Sequence, residues 1–525
     1  MTVIGRPGWA LAAALLMSCK AAPTSAPTTV GSVIAAGDHS EPREQDAVLL
    51  GTVTCISVRR CVDLLAALVE RPTPKISDVL LDARLEFLVA EVDGKTIPGI
   101  RLSGGAGVEL REELEKLEAE MGTAWVLRNQ VEISADSVVV SESGAVSKTF
   151  SAAPPQRHQE RADATLVAHI DSSKLSSAQR DRLISDAHAK GDAAEASEPT
   201  MKSFRQAMRS DQWRSYLESN ASLDASLRYV GKTISFDVTV TPESGSTLQL
   251  DYQQASQATS RSASLVPYAS AFSGSIALPV PLDELDRTEM QDTLQEIRLL
   301  LPIAIAQAPS PHRPVLLENG SSLLDVLEHD LLRETHAGLD LAASLDVEDA
   351  ATLTVAFTGF AKSGYPQLVR VTETLARAFP QPGIAVLEPP VGDYEVALFD
   401  VDLATVLPPM APYFGEHPRA ALGTSHDMLW FTLGSDPLAA MDRLHDRATG
   451  TRVDGSDATL RLHFNLAEAL SADPRVNLDD IDGSLIVDLQ SKNHPTHNTT
   501  TGSVTLGGRQ FVQGFISGLR KSLWP

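Results

Sequence analysis

Two hydrophobic periods alternate along the chain. Leu81, Leu85, Leu88 and Val92 recur at i, i+4, i+7 and i+11, and Leu110, Leu114, Leu117 and Met121 repeat that spacing. Each set predicts one apolar helix face. Glu112, Glu113, Lys116 and Glu118 fill the opposite face of the second helix. Between them Thr96–Leu102 is extended, and after Gly122 the segments Ala124–Leu127 and Val131–Ile133 read as strands. Thr233–Val240 instead alternates polar and apolar residues, the period of a half-buried antiparallel strand. Further strands are predicted at Thr165–Ile170, Thr352–Phe357, Tyr394–Asp400, Leu429–Leu433, Thr459–Phe464 and Ser484–Leu489. Helices are predicted at Ser177–Lys190, Met201–Glu218, Asp286–Leu300, Ser322–Leu332, Tyr365–Phe379 and Leu438–Arg447. The expectation is a multi-domain α+β protein, with helices packed on antiparallel sheets and a small helix–strand unit in front of them.

One stretch is echoed. Asp163-Ala164-Thr165-Leu166-Val167-Ala168-His169-Ile170-Asp171 matches Asp457-Ala458-Thr459-Leu460-Arg461-Leu462-His463-Phe464-Asn465, and 349–357 is a looser third copy. The first two lie too far apart in the chain for a solenoid. They point to two duplicated sheet units within 164–525, with chance similarity as the alternative.

The organisation expected is a leader at 1–18, a tether at 19–46, the small α+β unit at 47–140, a linker at 141–163 and the large α+β region at 164–525. Residues 1–20 read MTVIGRPGWALAAALLMSCK: Arg6, an apolar stretch at 9–17, then Leu16-Met17-Ser18-Cys19. That apolar run is signal-sized and too short to span a bilayer. The tetrapeptide resembles the bacterial lipobox. The resemblance implies cleavage after Ser18 and diacylglycerol on the Cys19 thiol, and hence a membrane partner through a lipid anchor. Lys20 in the sorting position favours an outer-membrane lipoprotein facing the periplasm; display at the cell surface is the alternative. The Ala, Pro, Ser and Thr of 21–30 suit a flexible tether. No later run reaches the roughly 18 apolar residues a spanning helix needs; the longest, Leu299–Ala308, is interrupted by Pro302.

Val108–Leu114, Met121–Trp125 and Val131–Ile133 resemble the short N-terminal (STN) module of secretins and TonB-dependent transporters, which implies a docking unit for an envelope protein partner. Thr241–Leu248, Tyr413–Arg419 and Asp427–Gly434 resemble large uncharacterised secreted proteins of planctomycete-like bacteria, which implies an architecture and no activity.

Charge excludes one class of partner. The chain has 44 Lys+Arg against 68 Asp+Glu, net −24, and its densest basic run is Arg59-Arg60. A body so acidic repels phosphate backbones, so nucleic acid is not expected. Once Cys19 is set aside, the remaining cysteines are Cys55 and Cys61. Five residues separate them, so a turn at Arg59-Arg60 can bring their Cα atoms within about 6 Å, which makes them a disulfide candidate. Two free thiols are the alternative, and the spacing is not the CxxC of the redox enzymes.

No catalytic constellation emerges. The chain has no G-x-S-x-G and no H-E-x-x-H. Ser425, His426 and Asp427 are sequence neighbours, which rules out triad geometry. Asp479, Asp480 and Asp482 precede Gly483 without the first ligand of a calcium loop. Gly104-Gly105-Ala106-Gly107 lacks the P-loop Lys. His494 and His497 sit in loop-like sequence, and His169 and His463 lie in the echoed strands. No metal and no cofactor is expected. The reading is a non-enzymatic envelope interaction or scaffold lipoprotein, with a periplasmic carrier or sensor of an apolar ligand such as a lipid as the alternative.

Overall fold

The computed structural model describes residues 47–69, 76–92, 95–121, 129–152, 163–195, 214–257, 260, 262, 271–277, 284–306, 310–331, 340–347, 351–358, 365–378, 384–387, 395–401, 403, 413–415, 418–425, 428–449, 458–471 and 485–506. Cys19, the tether, the strand expected at 124–127, residues 153–162, His426, Asp427 and the Asp479–Asp482 loop lie outside them. So does most of the helix expected from Met201, of which 214–218 are described. The chain is α+β and divides into two compact units, Pro7–Leu248 and Gln249–Phe515.

In the first unit β1 (Val48–Cys55) leads into α1 (Val58–Val69) and α2 (Asp78–Asp82). Ser77 caps α2 by accepting from the Leu80 amide. Then come the hairpin β2 (Arg84–Val92) and β3 (Lys95–Ser103), α3 (Gly107–Met121), β4 (Gln130–Ile133), β5 (Ser137–Ser141), α4 (Gly144–Ala152), β6 (Leu166–Asp171), α5 (Ser177–Glu195), and the hairpin β7 (Ser222–Val230) and β8 (Thr233–Thr241). All pairings are antiparallel, in the order β4-β5-β3-β2-β1-β6-β7-β8. One face, with Leu102, Val138 and Val140, is covered by Leu80 of α2 and Leu110 of α3. The other, with Leu88, Ala90 and Val139, is covered by Val146 and Phe150 of α4. Gly107 starts α3 where a Cβ would stand 2.2 Å from the Ser134 carbonyl oxygen, so this close approach requires glycine.

The helix expected across Leu81–Val92 is a strand from Arg84 onward. Helices cover both faces of this sheet, so β2 is apolar on both sides: Leu85, Phe87 and Val89 on one, Leu88, Ala90 and Val92 on the other. A run apolar at both parities satisfies a helical spacing as well as a strand. The linker expected over 141–163 is likewise corrected at 144–152. Those residues form α4, with Val146 fully buried and Phe150 at 5% exposure. Only two large apolar side chains in nine positions carry that burial, too few for periodicity to reveal.

In the second unit, α6 (Thr247–Ala255), which starts just before the division, precedes β9 (Phe272–Ala277). After β9 come α7 (Glu284–Ile305), α8 (Arg313–Leu331), the hairpin β10 (Asp340–Val347) and β11 (Ala351–Thr358), α9 (Tyr365–Ala378), β12 (Ile384–Leu387), β13 (Glu395–Val401), β14 (Arg419–Ser425), β15 (Met428–Gly434), α10 (Pro437–Thr449), β16 (Leu460–Asn465), α11 (Leu466–Ser471), and the hairpin β17 (Leu485–Asn493) and β18 (Asn498–Leu506). Its antiparallel order is β18-β17-β16-β9-β10-β11-β15-β14-β13-β12.

The two units share one topology. In each, the first strand is central. On one side it carries a hairpin (β2–β3 or β10–β11) extended by β5–β4 or β15–β14. On the other it carries β6 or β16 and a final hairpin. The second unit adds β13 and β12 at one margin. Helices follow suit: α10 lays Met441 and Leu444 over Trp430 and Ala356, as α4 covers Val139, while α9 packs on the opposite face, as α3 does. The echoed segments are β6 and β16, one in each unit. The repeat therefore begins at β1, not at residue 164 as expected.

The first sheet holds a charged group inside its α4-covered face. Glu86 (0% exposed) pairs with Arg101 (3% exposed) directly across β2 and β3. Arg84 adds a second contact at 2.8 Å to Glu86, and Arg101 Nη1 donates to the Phe150 carbonyl at 3.0 Å. Removing one partner strands a buried charge, so Arg101→Ala should cost about 3–5 kcal/mol in urea denaturation. Glu86→Leu with Arg101→Met should cost much less; equal losses would deny the pair its structural role.

Candidate functional site

The echoed strands carry the same polar pair in both units. His169 of β6 faces Asp224 of β7, with Nδ1 2.9 Å from Oδ1. His463 of β16 faces Asp488 of β17, with Nδ1 2.7 Å from Oδ1. Opposed residues on antiparallel neighbours share a face, so each pair belongs to a row crossing its sheet. In the first unit the row is Ser141, Gly99, Leu88, Thr52, His169, Asp224, Thr239. In the second it is Thr432, Thr354, Ser344, Ser273, His463, Asp488, Ser503. Both place a hydroxyl beside the histidine on the central strand, Thr52 or Ser273.

Local structure explains why the echo recurs. Ala164 and Ala458, at 3% and 1% exposure, precede the strands where a larger side chain has no room. Thr165 and Thr459 follow. Thr165 Oγ1 accepts from the Tyr229 amide at 3.0 Å, and Thr459 Oγ1 accepts from Asn493 Nδ2 at 2.9 Å. Their backbones bridge the same neighbours: the Thr165 amide donates to Leu227 and its carbonyl accepts from Ile56, while Thr459 does the same with Ser491 and Ala277. Asp171 and Asn465 close the motif by accepting from the Ser173 and Glu468 amides. Each shared residue thus meets a hydrogen-bonding demand or a small space at one or the other end of the strand beside the central one.

The order hydroxyl, imidazole, carboxylate invites comparison with a catalytic triad, but the surroundings differ. Thr52 is 2% exposed and Ser273 8%. β1 and β9 are paired on both edges, so their backbone amides serve the sheet rather than a developing oxyanion. The Oγ atoms of Ser273 and Ser344 are buried with no partner among the described residues; hydroxyls so placed are ordinarily satisfied by ordered water. Each pair is a cross-strand hydrogen bond between an imidazole and a carboxylate. The hydrogen bond that His169 donates to Asp224 is the main reason the His169 pKa lies above that of free histidine, against an opposing effect of burial.

The other candidates join neither His–Asp pair. Cys55, ending β1, and Cys61, in α1, form a buried disulfide with Cα atoms 6.1 Å apart. Among the described residues no group of three or more His, Cys, Asp or Glu could hold a metal. His494 and His497 flank the β17–β18 turn with stacked rings 4.4 Å apart. Burial, then the neighbouring imidazole, lowers the His494 pKa. Gly104, at φ 101°, turns the chain out of β3, and Ser425 ends β14. Sequence reading found the two histidines but missed Asp224 and Asp488, because cross-strand register, not spacing, brings them in. No family model, no curated protein and no solved structure matches the chain.

Because the folded pKa of His169 is raised, its pair contributes stability in full below the unfolded value of about 6.5 and loses it as pH rises through the folded value. Histidine NMR should show His169 titrating above free histidine, and Asp224→Asn should remove the shift. The accompanying loss of stability should stay under about 1 kcal/mol, since half the carboxylate faces solvent. A resonance titrating at or below the free value would rule the pair out as a protonated contact.

Proposed function

We propose that the chain is an exported lipoprotein, held at a membrane through Cys19, that acts as a non-enzymatic interaction protein of the cell envelope. The observation that carries this reading is the use made of the chemically capable side chains. In both units the histidine, carboxylate and hydroxyl groups of the echoed motif bond to neighbouring strands or to backbone at sheet positions. They hold register, and they do so twice. What is repeated is a scaffold, two copies of one sheet with its covering helices. The lipobox and the polar stretch before Ala47 supply the tether. From Cys19 to Ala47 the chain can reach roughly 100 Å when extended, enough for the body to work beside the leaflet that holds it. Lys20 favours the outer membrane, with the body on the periplasmic side. No helix among the described residues is long and apolar enough to cross a bilayer, so lipid at Cys19 is the anchor this reading requires.

Radiolabelled palmitate should enter the protein in growing bacterial cells, and Cys19→Ser should abolish the label. Crosslinking in intact envelopes should then join the protein to a discrete partner, less efficiently when Cys19→Ser removes the anchor. Absence of label, or a hydrolytic turnover that disappears with His463→Ala, would overturn the reading.

A further inference from the structure

The two units fasten one shared junction by different chemistry. In each, the late strand (β6 or β16) starts against the end of the central strand (β1 or β9). The threonine before it accepts from the amide just past that end, Ile56 at 3.2 Å in one unit and Ala277 at 2.8 Å in the other. The closure is long-range: Thr165 lies 104 residues beyond Cys61, so the chain gives up loop entropy to make it.

In the first unit a covalent bond stands at this junction. Cys55 is the last residue of β1, paired with Leu85 on one side and Leu166 on the other. The disulfide joins it to Cys61, six residues on, in the first turn of α1. That turn gathers the entrances of two strands. Before β2, Ser57 Oγ donates to the Leu81 carbonyl at 3.3 Å and the Val58 amide donates to the Ala83 carbonyl at 2.9 Å. Before β6, Arg60 Nη1 donates to the Ala164 carbonyl at 3.2 Å, and Cys61 Sγ stands 3.5 Å from the Thr165 carbonyl oxygen. The disulfide holds the turn to β1, and the turn holds β2 and β6.

The second unit has no cysteine, because the three in the chain are Cys19, Cys55 and Cys61. Ile276 stands where Cys55 does, paired with Leu341 and Leu460. Here the junction is fastened from the other side of β16. Asn493 Nδ2 donates to Thr459 Oγ1 at 2.9 Å, Asn498 Nδ2 donates to Asn493 Oδ1 and, at 3.1 Å, to Ser491 Oγ, and Thr500 Oγ1 donates to Ser491 Oγ at 3.1 Å. Ser491, Asn493, Asn498 and Thr500 are at most 4% exposed. Register puts Leu227, Tyr229, Ile234 and Phe236 at those positions in the first unit, and three of these carry no polar group. A network of buried amides and hydroxyls is indifferent to thiol chemistry; a disulfide is not.

We infer that the first unit is locked by oxidation: the Cys55–Cys61 bond fixes the α1 turn and, through it, the start of β6, whereas the second unit closes whatever the thiol state. The bond forms by thiol–disulfide exchange with a disulfide-bearing oxidant. Both thiols lose their protons, together they give up two electrons, the S–S bond forms, and the oxidant's disulfide is cleaved to two thiols. Once made, the bond is buried, with Cys55 at 5% and Cys61 at 7% exposure. Dissolved thiols do not reach it while the unit stays folded, so it acts as a maturation step rather than a reversible switch. Its timing in the cell rests on the export reading above, because a reducing cytosol leaves the thiols free and an oxidising envelope joins them.

The test uses the full purified chain carrying Cys19→Ser, so that the pair holds the only sulfhydryl groups. Amide hydrogen exchange is followed by mass spectrometry in the oxidised protein, in protein reduced with dithiothreitol in urea and refolded without oxidant, and in the variant Cys55→Ser with Cys61→Ser. Reduction should speed exchange in β1 and β6 by about tenfold or more and leave β16, β17 and β18 unchanged, and glutathione disulfide should restore the slow exchange. The double variant should match the reduced protein; the reduced protein, whose sequence is intact, decides the matter if that variant fails to fold. Unchanged exchange in β1 and β6 on reduction, or equal acceleration in both units, would overturn the inference. Palmitate labelling of Cys19 is measured on a different protein and is unaffected by either result, so failure here and failure of the lipoprotein reading are separate outcomes.

Discussion

In each unit the first strand to be made is the one at the middle of the sheet. β1 and β9 are hydrogen-bonded along both edges, and everything else attaches to one side or the other. A strand in that position has no spare backbone groups and no freedom of register, because a slip of one residue would turn every buried side chain to the wrong face. The hairpin that follows it and the strand that returns to it late in the unit must both read its pattern. The repeated His–Asp pairs, the Thr165 and Thr459 caps and the small Ala164 and Ala458 all lie on or beside that late-returning strand. They are spent where an error of pairing would be most damaging.

The same constraint accounts for the shape of the chemistry. A histidine next to a carboxylate and a hydroxyl is an arrangement from which hydrolases are built, but the difference between a triad and a register device lies in what surrounds it. Here the hydroxyls are buried on strands paired on both edges, and the carboxylates are half exposed. The buried Glu86–Arg101 pair of the first sheet is a costlier version of the same solution. It sets the β2–β3 pairing through charge, with α4 closing over it. In the second unit hydroxyls occupy the corresponding face, so one topology tolerates different means of fixing register.

A scaffold of this kind leaves function to its surface and its attachment. The lipobox reading sets the protein beside a lipid leaflet.

Much of the fold was legible before any coordinates. Thr233–Thr241 alternates cleanly and is a strand, and the helices expected at Tyr365, Leu438 and Ser177 are present. The echo around His169 and His463 pointed to a repeat. Where residues are apolar at both parities, as in Arg84–Val92, the pattern suits two structures, and only the presence of helices on both sides of the sheet decides between them. Where burial rests on two side chains, as in Gly144–Ala152, the pattern is too sparse to register. Local periodicity therefore determined the elements that bury one face. Tertiary structure alone decided which strand lies centrally, where the repeat begins and which aspartate meets each histidine, because those depend on pairings between segments that share no sequence neighbourhood.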